Sequence, residues 1–105
     1  MDRDYVINNY NKNDFMNFLR YDKNGSILEL LNEEGIDILK RSSLKEERII
    51  YILSYSPYKN ELLKNTLFLD VFLNTNIRTY YAVLNNLEPS TYETIIKRAS
   101  VWDWV

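Results

Sequence analysis

The chain has 105 residues, the length of one domain, so we expect a single domain over residues 1–105. It contains neither Cys nor His, which excludes disulfides, thiolate nucleophiles and the zinc or haem sites built on those residues. The 13 basic and 15 acidic residues are interspersed, and this pattern disfavours the one-sign surface that nucleic-acid-binding proteins use.

The predicted elements are helices, because apolar residues recur with helical spacing and the alternation typical of strands is scarce. In chain order we predict helices over 3–10, 14–21, 27–34, 36–41, 44–55, 61–66, 67–74, 77–87 and 91–99. The helix over 77–87 has the clearest amphipathic face. The sequence therefore predicts an all-α fold, either a small irregular helical bundle or a short α-solenoid-like array of about six to eight helices.

Polar residues and glycines mark where these helices begin and end. In a capping box, an N-cap Ser and a Glu three positions later bind each other's backbone N–H. Three segments have this spacing: Ser26 with Glu29, Ser43 with Glu46, and Ser90 with Glu93. Asn13 is a further predicted N-cap, Ser56 before Pro57 is a typical helix start, and Gly35 is the predicted end of the helix over 27–34.

One pattern recurs at a spacing of 32 residues. The segment 29–32 (ELLN) reappears at 61–64 (ELLK) and again at 93–96 (ETII), and after one insertion 36–39 aligns with 69–72. A period in the thirties is typical of helical repeats that stack into solenoids. Weak self-alignment is also common among amphipathic helices of irregular bundles, so both interpretations stay open.

The apolar faces of the predicted helices define an expected core. Its members are Leu31, Ile38, Ile49, Ile52, Leu53, Leu63, Val71, Val83, Leu84 and Ile95. Truncation of Leu53 or Leu84 to Ala is expected to cost about 2–5 kcal/mol of stability.

The sequence offers no recognisable catalytic constellation. Two glycines are too few for a Gly-rich phosphate loop. Glu33 and Glu34 are adjacent, so on a helix their side chains diverge, and Glu29 with Glu33 has the spacing of a solvated helix face. We therefore expect a protein that is not an enzyme and that holds no cofactor or metal.

Aromatic residues are the main indication of function. The chain has nine Tyr, four Phe and two Trp, and binding interfaces are enriched in Tyr, Trp and Arg. Tyr55 lies at the start of the predicted loop over 56–60, and Tyr58 and Lys59 lie within it. A simple connector between two helices needs no aromatic side chains, so these three are predicted protein-binding residues. Tyr58→Ala is expected to weaken binding by about 2 kcal/mol and to leave thermal stability nearly unchanged.

Trp102 and Trp104 lie near the end of the sequence and form the second predicted binding site. Large aromatic side chains at such a position either fold back to close the core or insert into a pocket of a partner. The sequence alone does not distinguish the two roles.

These features favour a non-enzymatic protein-binding module. By analogy of size and class, it would be an inhibitor or neutraliser of the phage anti-defence, antitoxin or immunity type, which occludes a partner protein. One alternative is a structural or scaffold subunit that self-associates. The other is a nucleic-acid-binding helical domain, for which the candidate contacts are Lys40, Arg41, Lys45 and Arg48.

The sequence also bears on location. No apolar run approaches the roughly 18 residues of a membrane span, and no leader pattern is visible, so we expect a cytoplasmic protein without a membrane partner. Asn, Ile, Tyr and Lys greatly outnumber Ala, Gly and Pro, which favours a GC-poor genome.

Overall fold

The computed structural model describes residues 1–76 and 87–103, with the backbone alone for residues 99–103. All regular secondary structure in these residues is helical, which confirms the predicted all-α fold. The helices are α1 (Arg3–Asn9), α2 (Lys12–Arg20), α3 (Ser26–Leu30), α4 (Glu33–Arg41), α5 (Lys45–Tyr55), α6 (Lys59–Lys64), α7 (Thr66–Leu73) and α8 (Pro89–Asp103). The helix predicted over 77–87 lies outside the described residues except for Leu87. None of these eight helices is long and apolar enough to cross a membrane.

Asn and Asp side chains begin four of these helices. Asp2, Asn11, Asn32 and Asn65 each accept a hydrogen bond from a backbone N–H in the first turn of α1, α2, α4 and α7 respectively. Each bond satisfies a donor that the helix itself leaves unpaired. The predicted N-cap Asn13 is wrong by two positions, because Asn11 reaches the N–H of the first turn instead.

Other contacts replace the three predicted capping boxes. Both carboxylate oxygens of Asp22 accept from the first two N–H groups of α3, so Ser26 lies inside the helix rather than at its cap. Ser42, not Ser43, accepts from the N–H of residue 44 before α5. Ser90 is the second residue of α8 and not its cap. The predicted boxes are therefore wrong in detail, although each marks a real helix start.

Gly35 does not end a helix as predicted but belongs to the first turn of α4. A Cβ at this position would lie 1.7 Å from the carbonyl oxygen of Leu30, at the end of α3. The side chain of Asn32 accepts from the N–H of Gly35 at 2.9 Å and begins α4. The predicted helix over 27–34 is thus two helices, and only glycine allows them to approach this closely.

The helix pairs α3–α4 and α6–α7 share one plan. In each pair a helix of five or six residues is followed by a helix of eight or nine residues that an Asn side chain caps. Ile36 in α4 matches Leu69 in α7, both are buried, and the two longer helices contact each other. The third copy, 93–96, falls inside the continuous helix α8 and lacks the break. Within the described residues the similarity is therefore limited to these two helix pairs, and whether they form a true repeat stays a prediction.

One hydrophobic cluster extends through the described residues, from Val6 in α1 to Ile95 in α8. Most predicted core residues are buried in it: Leu31, Ile49, Ile52, Leu53, Leu63, Val71 and Ile95. Ile38 is half-buried against the cluster, which corrects its predicted full burial. Val83 and Leu84 lie outside the described residues.

Arg48 is a charged residue within this core, with 2% of its surface exposed. Its Nε donates to the carbonyl oxygen of Ile7 at 2.8 Å, and its Nη2 donates to that of Tyr10, at the end of α1. Its guanidinium carbon lies 4.4 Å from the centre of the Phe15 ring. Burial lowers the pKa of Arg48, against the opposing effect of the Glu47 carboxylate. The ordinary pKa of arginine is so high that the side chain stays charged at neutral pH.

Candidate protein-binding surface

The structure brings Tyr55 and Tyr58 to the end of α2 and the turn that follows it. Tyr55 is the last residue of α5 and half-buried, and the guanidinium of Arg20 lies 4.5 Å from the centre of its ring. Tyr58 precedes α6 and donates its hydroxyl proton to the carbonyl oxygen of Lys23 at 3.0 Å. Lys59 is half-buried at the first position of α6. The two predicted tyrosines are thus held in place by tertiary contacts rather than free in a loop.

The local sequence fixes both sides of this contact. Buried Ser56 accepts from the N–H of Tyr58 through its hydroxyl at 3.1 Å, which forms a tight turn around Pro57. On the other side, Gly25 has a φ of 76°, a left-handed conformation that favours glycine. A Cβ built on it would lie 3.7 Å from the Tyr58 ring. Two rigid turns therefore meet at Tyr58.

Cations from α2 lie over tyrosines from α5. The ammonium of Lys12 is 5.8 Å from the centre of the ring of Tyr51, which lies one helical turn before Tyr55 in α5. The rings of Tyr51 and Tyr55 are themselves 6.4 Å apart. Both rings are half-buried and both cations are exposed. The arrangement forms a row of paired aromatic and positive side chains along the junction of α2 and α5.

Tyr21 adds an exposed aromatic ring at the end of this row. It follows Arg20 directly, and with 73% of its surface exposed it is the most exposed large apolar side chain in the described residues. Together with Phe18 and Lys23 it borders a shallow depression of about 340 Å³. The sequence prediction missed Tyr21, although a Tyr between a helix end and a polar turn is a signal that could have indicated it.

We refer to these side chains together as the aromatic–cationic surface. It consists of Lys12, Arg20, Tyr21, Lys23, Tyr51, Tyr55 and Tyr58. Two cation–ring contacts, one pair of neighbouring rings and the hydrogen bond of Tyr58 to the Lys23 backbone connect its members.

This surface carries three cationic side chains, although the whole chain carries −2. The ion pairs of the described residues lie elsewhere, so Lys12, Arg20 and Lys23 have no carboxylate within pairing distance. Two carboxylates neighbour the surface: Glu47 lies one helical turn before Tyr51, and Asp22 lines the depression beside Tyr21. Asp22 uses both of its oxygens to begin α3. The three cations are therefore available to an outside anion.

The C-terminal part of the predicted site is only partly described. Trp102 belongs to the backbone of α8, with its side chain outside the described part of the chain, and Trp104 lies outside it entirely. Their role stays a prediction. On α8 itself, Tyr92 and Ile96 are exposed by 42% and 41% and lie one turn apart.

A second concavity lies between α4 and α7, with a volume of about 890 Å³. Lys40 and Lys45 line it beside acidic residues, so it has no single sign of charge. Arg41 pairs with Asp37 at 3.3 Å. Because Arg48 is buried and bound to carbonyl oxygens, the four basic residues considered for nucleic-acid contacts do not form one phosphate-binding surface.

Nothing in the described residues groups three or more acidic side chains in a way that could hold a metal ion. The chain shows no significant match to a protein-family model, to a curated protein or to a solved structure.

Proposed function

We propose that this chain is a non-enzymatic protein-binding module that recognises its partner through the aromatic–cationic surface. The observation that carries the proposal is the exposed ring of Tyr21 beside the Arg20–Tyr55 pair. Tyr and Arg dominate binding energy at interfaces because they bury much area with few rotamers to restrict. A solvated ring next to such a pair gains stability when a partner covers it.

The neighbouring side chains support the proposal because they are ordered before binding. Tyr58 is held by its hydrogen bond to Lys23, and Tyr55 is held by Arg20 and the Tyr51 ring. A surface with fixed rotamers loses less conformational entropy when a partner docks. Lys59, next to Tyr58, belongs to the proposed border of the interface.

The proposed mode of action is occlusion. A domain of this size binds the active or interacting face of another protein in the cytoplasm and blocks it, as inhibitors of the anti-defence, antitoxin and immunity types do. This mode requires no catalytic group and no cofactor.

Affinity capture with matched variants tests the proposal. The immobilised chain is exposed to extract of its source or host cells, in parallel with Tyr21→Ala and with Tyr92→Ala, which removes an exposed tyrosine from α8 instead. We expect a co-purifying protein that Tyr92→Ala retains. Tyr21→Ala should raise its Kd by about 30-fold, which corresponds to about 2 kcal/mol.

Other results would assign a different function. If the Tyr21→Ala variant still captures the partner, the interface lies elsewhere, and Trp102 and Trp104 are the next residues to substitute. A concentration-independent dimer in light scattering, lost in Tyr21→Ala, would indicate self-association. Capture that disappears after nuclease treatment would indicate nucleic-acid binding.

A further inference from the structure

We infer that the aromatic–cationic surface takes an acidic protein segment, an inference that rests on the proposed function and names its partner's chemistry. The occupant is a stretch of polypeptide that presents Asp or Glu carboxylates beside an apolar side chain. Complementary charge across an interface steers encounter and selects partners.

The two cations of α2 lie at its opposite ends. Lys12 and Arg20 are eight residues apart, a backbone rise of about 12 Å at 1.5 Å per residue. A partner segment that reaches both cations therefore extends over about two turns of α2.

The aromatic contacts leave the charged groups free to bind. A guanidinium that lies over a ring still directs N–H groups from its edge toward a carboxylate. Arg20 is exposed and has no such partner in the described residues. Bonding of this kind favours a flat carboxylate over a neutral amide or hydroxyl.

Tyr21 provides the apolar part of the site. Its exposed ring and Phe18 border the depression of about 340 Å³ next to Lys23. An apolar side chain beside the acidic residues of the partner fits this depression. Burial of the Tyr21 ring there adds area-dependent stabilisation to the charge pairing.

A short acidic segment fits the surface better than a nucleic acid does. Proteins bind single strands by stacking successive bases on several open aromatic faces. Here, in contrast, Lys12 and Arg20 lie over the rings of Tyr51 and Tyr55, and Tyr21 is the only exposed ring of this surface. The chain is net negative beyond this surface, which repels a long polyanion. A short peptide segment extends less far beyond the three cations.

Selection of random peptides tests the inference directly. A phage-displayed library of dodecapeptides is selected on the full chain, and the enriched peptides are synthesised and titrated by fluorescence anisotropy. We expect enriched sequences with net negative charge, binding that weakens as salt increases, and loss of binding in Tyr21→Ala.

Two matched double variants distinguish binding at this surface from a nonspecific effect of the chain's net charge. Lys12→Gln with Arg20→Gln should raise the Kd of the selected peptides about tenfold, as two exposed ion pairs are lost. Lys40→Gln with Lys45→Gln makes the same change of charge in the concavity between α4 and α7, and should leave the Kd unchanged. Circular dichroism confirms that both double variants fold.

Four results would overturn the inference. Selected peptides without acidic residues, or peptides that bind the Lys12→Gln, Arg20→Gln variant equally well, would refute the acidic partner and leave the proposed function standing. A fluorescent oligothymidylate that binds through Lys12 and Arg20 would assign the surface to nucleic acid. A library that yields no binder would also refute the inference. The proposed function is tested separately, by the capture experiment with the Tyr21→Ala variant.

Discussion

Arg48 stabilises the end of α1 by donating hydrogen bonds to its last carbonyl groups. In a helix that ends at the protein surface, water molecules bind these groups instead. The carbonyl groups of Ile7 and Tyr10 lie at the helix end, where no further turn provides donors, and the guanidinium binds both. The negative end of the helix dipole also favours a cation at this position. The third nitrogen, Nη1, has no hydrogen-bond partner in the described residues, so the side chain is not fully satisfied. Arg48 thus joins α1 to α5 through a small number of strong contacts.

Arg48→Met should destabilise the fold by about 3 kcal/mol. Met fills much of the same volume, but it leaves the buried carbonyl of Ile7 and the half-buried carbonyl of Tyr10 without this donor. A buried group without a partner costs roughly 1–3 kcal/mol, and a half-buried one costs less. Urea denaturation followed by circular dichroism measures the loss. Arg41→Met is the control, because Arg41 forms an exposed ion pair with Asp37 and should change stability by less than about 1 kcal/mol. Equal stability of the two variants would show that the carbonyl bonds contribute nothing.

Tyr58 has a structural contact that the sequence did not indicate, so its substitution should lower stability as well as binding. Tyr58→Phe removes the hydrogen bond to Lys23 and should cost about 1 kcal/mol. Tyr58→Ala also removes the half-buried ring beside Gly25, for a total of about 2 kcal/mol. Denaturant unfolding measures both, with Tyr92→Phe as the exposed control. If Tyr58→Ala were as stable as the native chain, the ring would have no packing role. The sequence-based prediction that this substitution leaves stability nearly unchanged would then be correct.

At the scale of single elements, the break between α3 and α4 shows where tertiary contacts override local signals. Gly35 carries the sequence signal of a helix end, and a helix does end nearby, at Leu30. The reason for glycine is nevertheless the Leu30 carbonyl oxygen, which occupies the place of a Cβ. A contact between two elements is not visible in local propensity.

Gly35→Ala should therefore destabilise the protein far more than Gly25→Ala. A Cβ at Gly35 would overlap backbone that has little freedom to move, and the cost should exceed about 3 kcal/mol. At Gly25 the neighbours are side-chain atoms at 3.4 Å or more, so the cost is that of the left-handed conformation, about 1 kcal/mol. Thermal unfolding of both variants tests this order. A reversed order would mean that α3 and α4 can separate at low cost.

The two Asn caps should contribute equally if α3–α4 and α6–α7 are copies of one unit. Asn32→Ala and Asn65→Ala should each cost about 1 kcal/mol, the usual value for a lost N-cap. Asn13→Ala is the matched control and should be nearly neutral, since Asn11 is the cap of α2. Denaturation midpoints of the three variants provide the measurement, and a destabilised Asn13→Ala would restore the cap predicted from the sequence.

Sequence patterns predicted the all-helical fold, most of the described helices and most of the core, because these depend on apolar spacing, which is local. The caps were less predictable. Asp22, four residues before Ser26, accepts hydrogen bonds from the N–H groups at the start of α3, so Ser26 is not the cap that its spacing to Glu29 predicts. Tyr55 and Tyr58 were predicted as site residues from their position between helices. Lys12 and Arg20 were not, because their contacts with tyrosines exist only once α2 packs on α5.

At the scale of the whole molecule, one cluster of buried residues joins the described helices. The radius of gyration is 13.1 Å, close to the value of about 13 Å for a folded domain of this length. Residues from α1 through α8 belong to the same cluster, so no helix has a separate core. A single continuous core is the usual basis of cooperative, two-state unfolding.

Leu53 tests this cooperativity, because it is 1% exposed within the cluster. Leu53→Ala should lower the free energy of unfolding by about 2–5 kcal/mol, through lost burial and the cavity left behind. In a two-state protein, the slowest-exchanging amides of every helix exchange through global unfolding. The protection of these amides in α1 and in α7 should therefore fall equally, although neither helix contains Leu53. Leu67→Ala, at a site 47% exposed, should change protection little. A loss confined to α5 and its neighbours would instead indicate that the two helical units unfold independently.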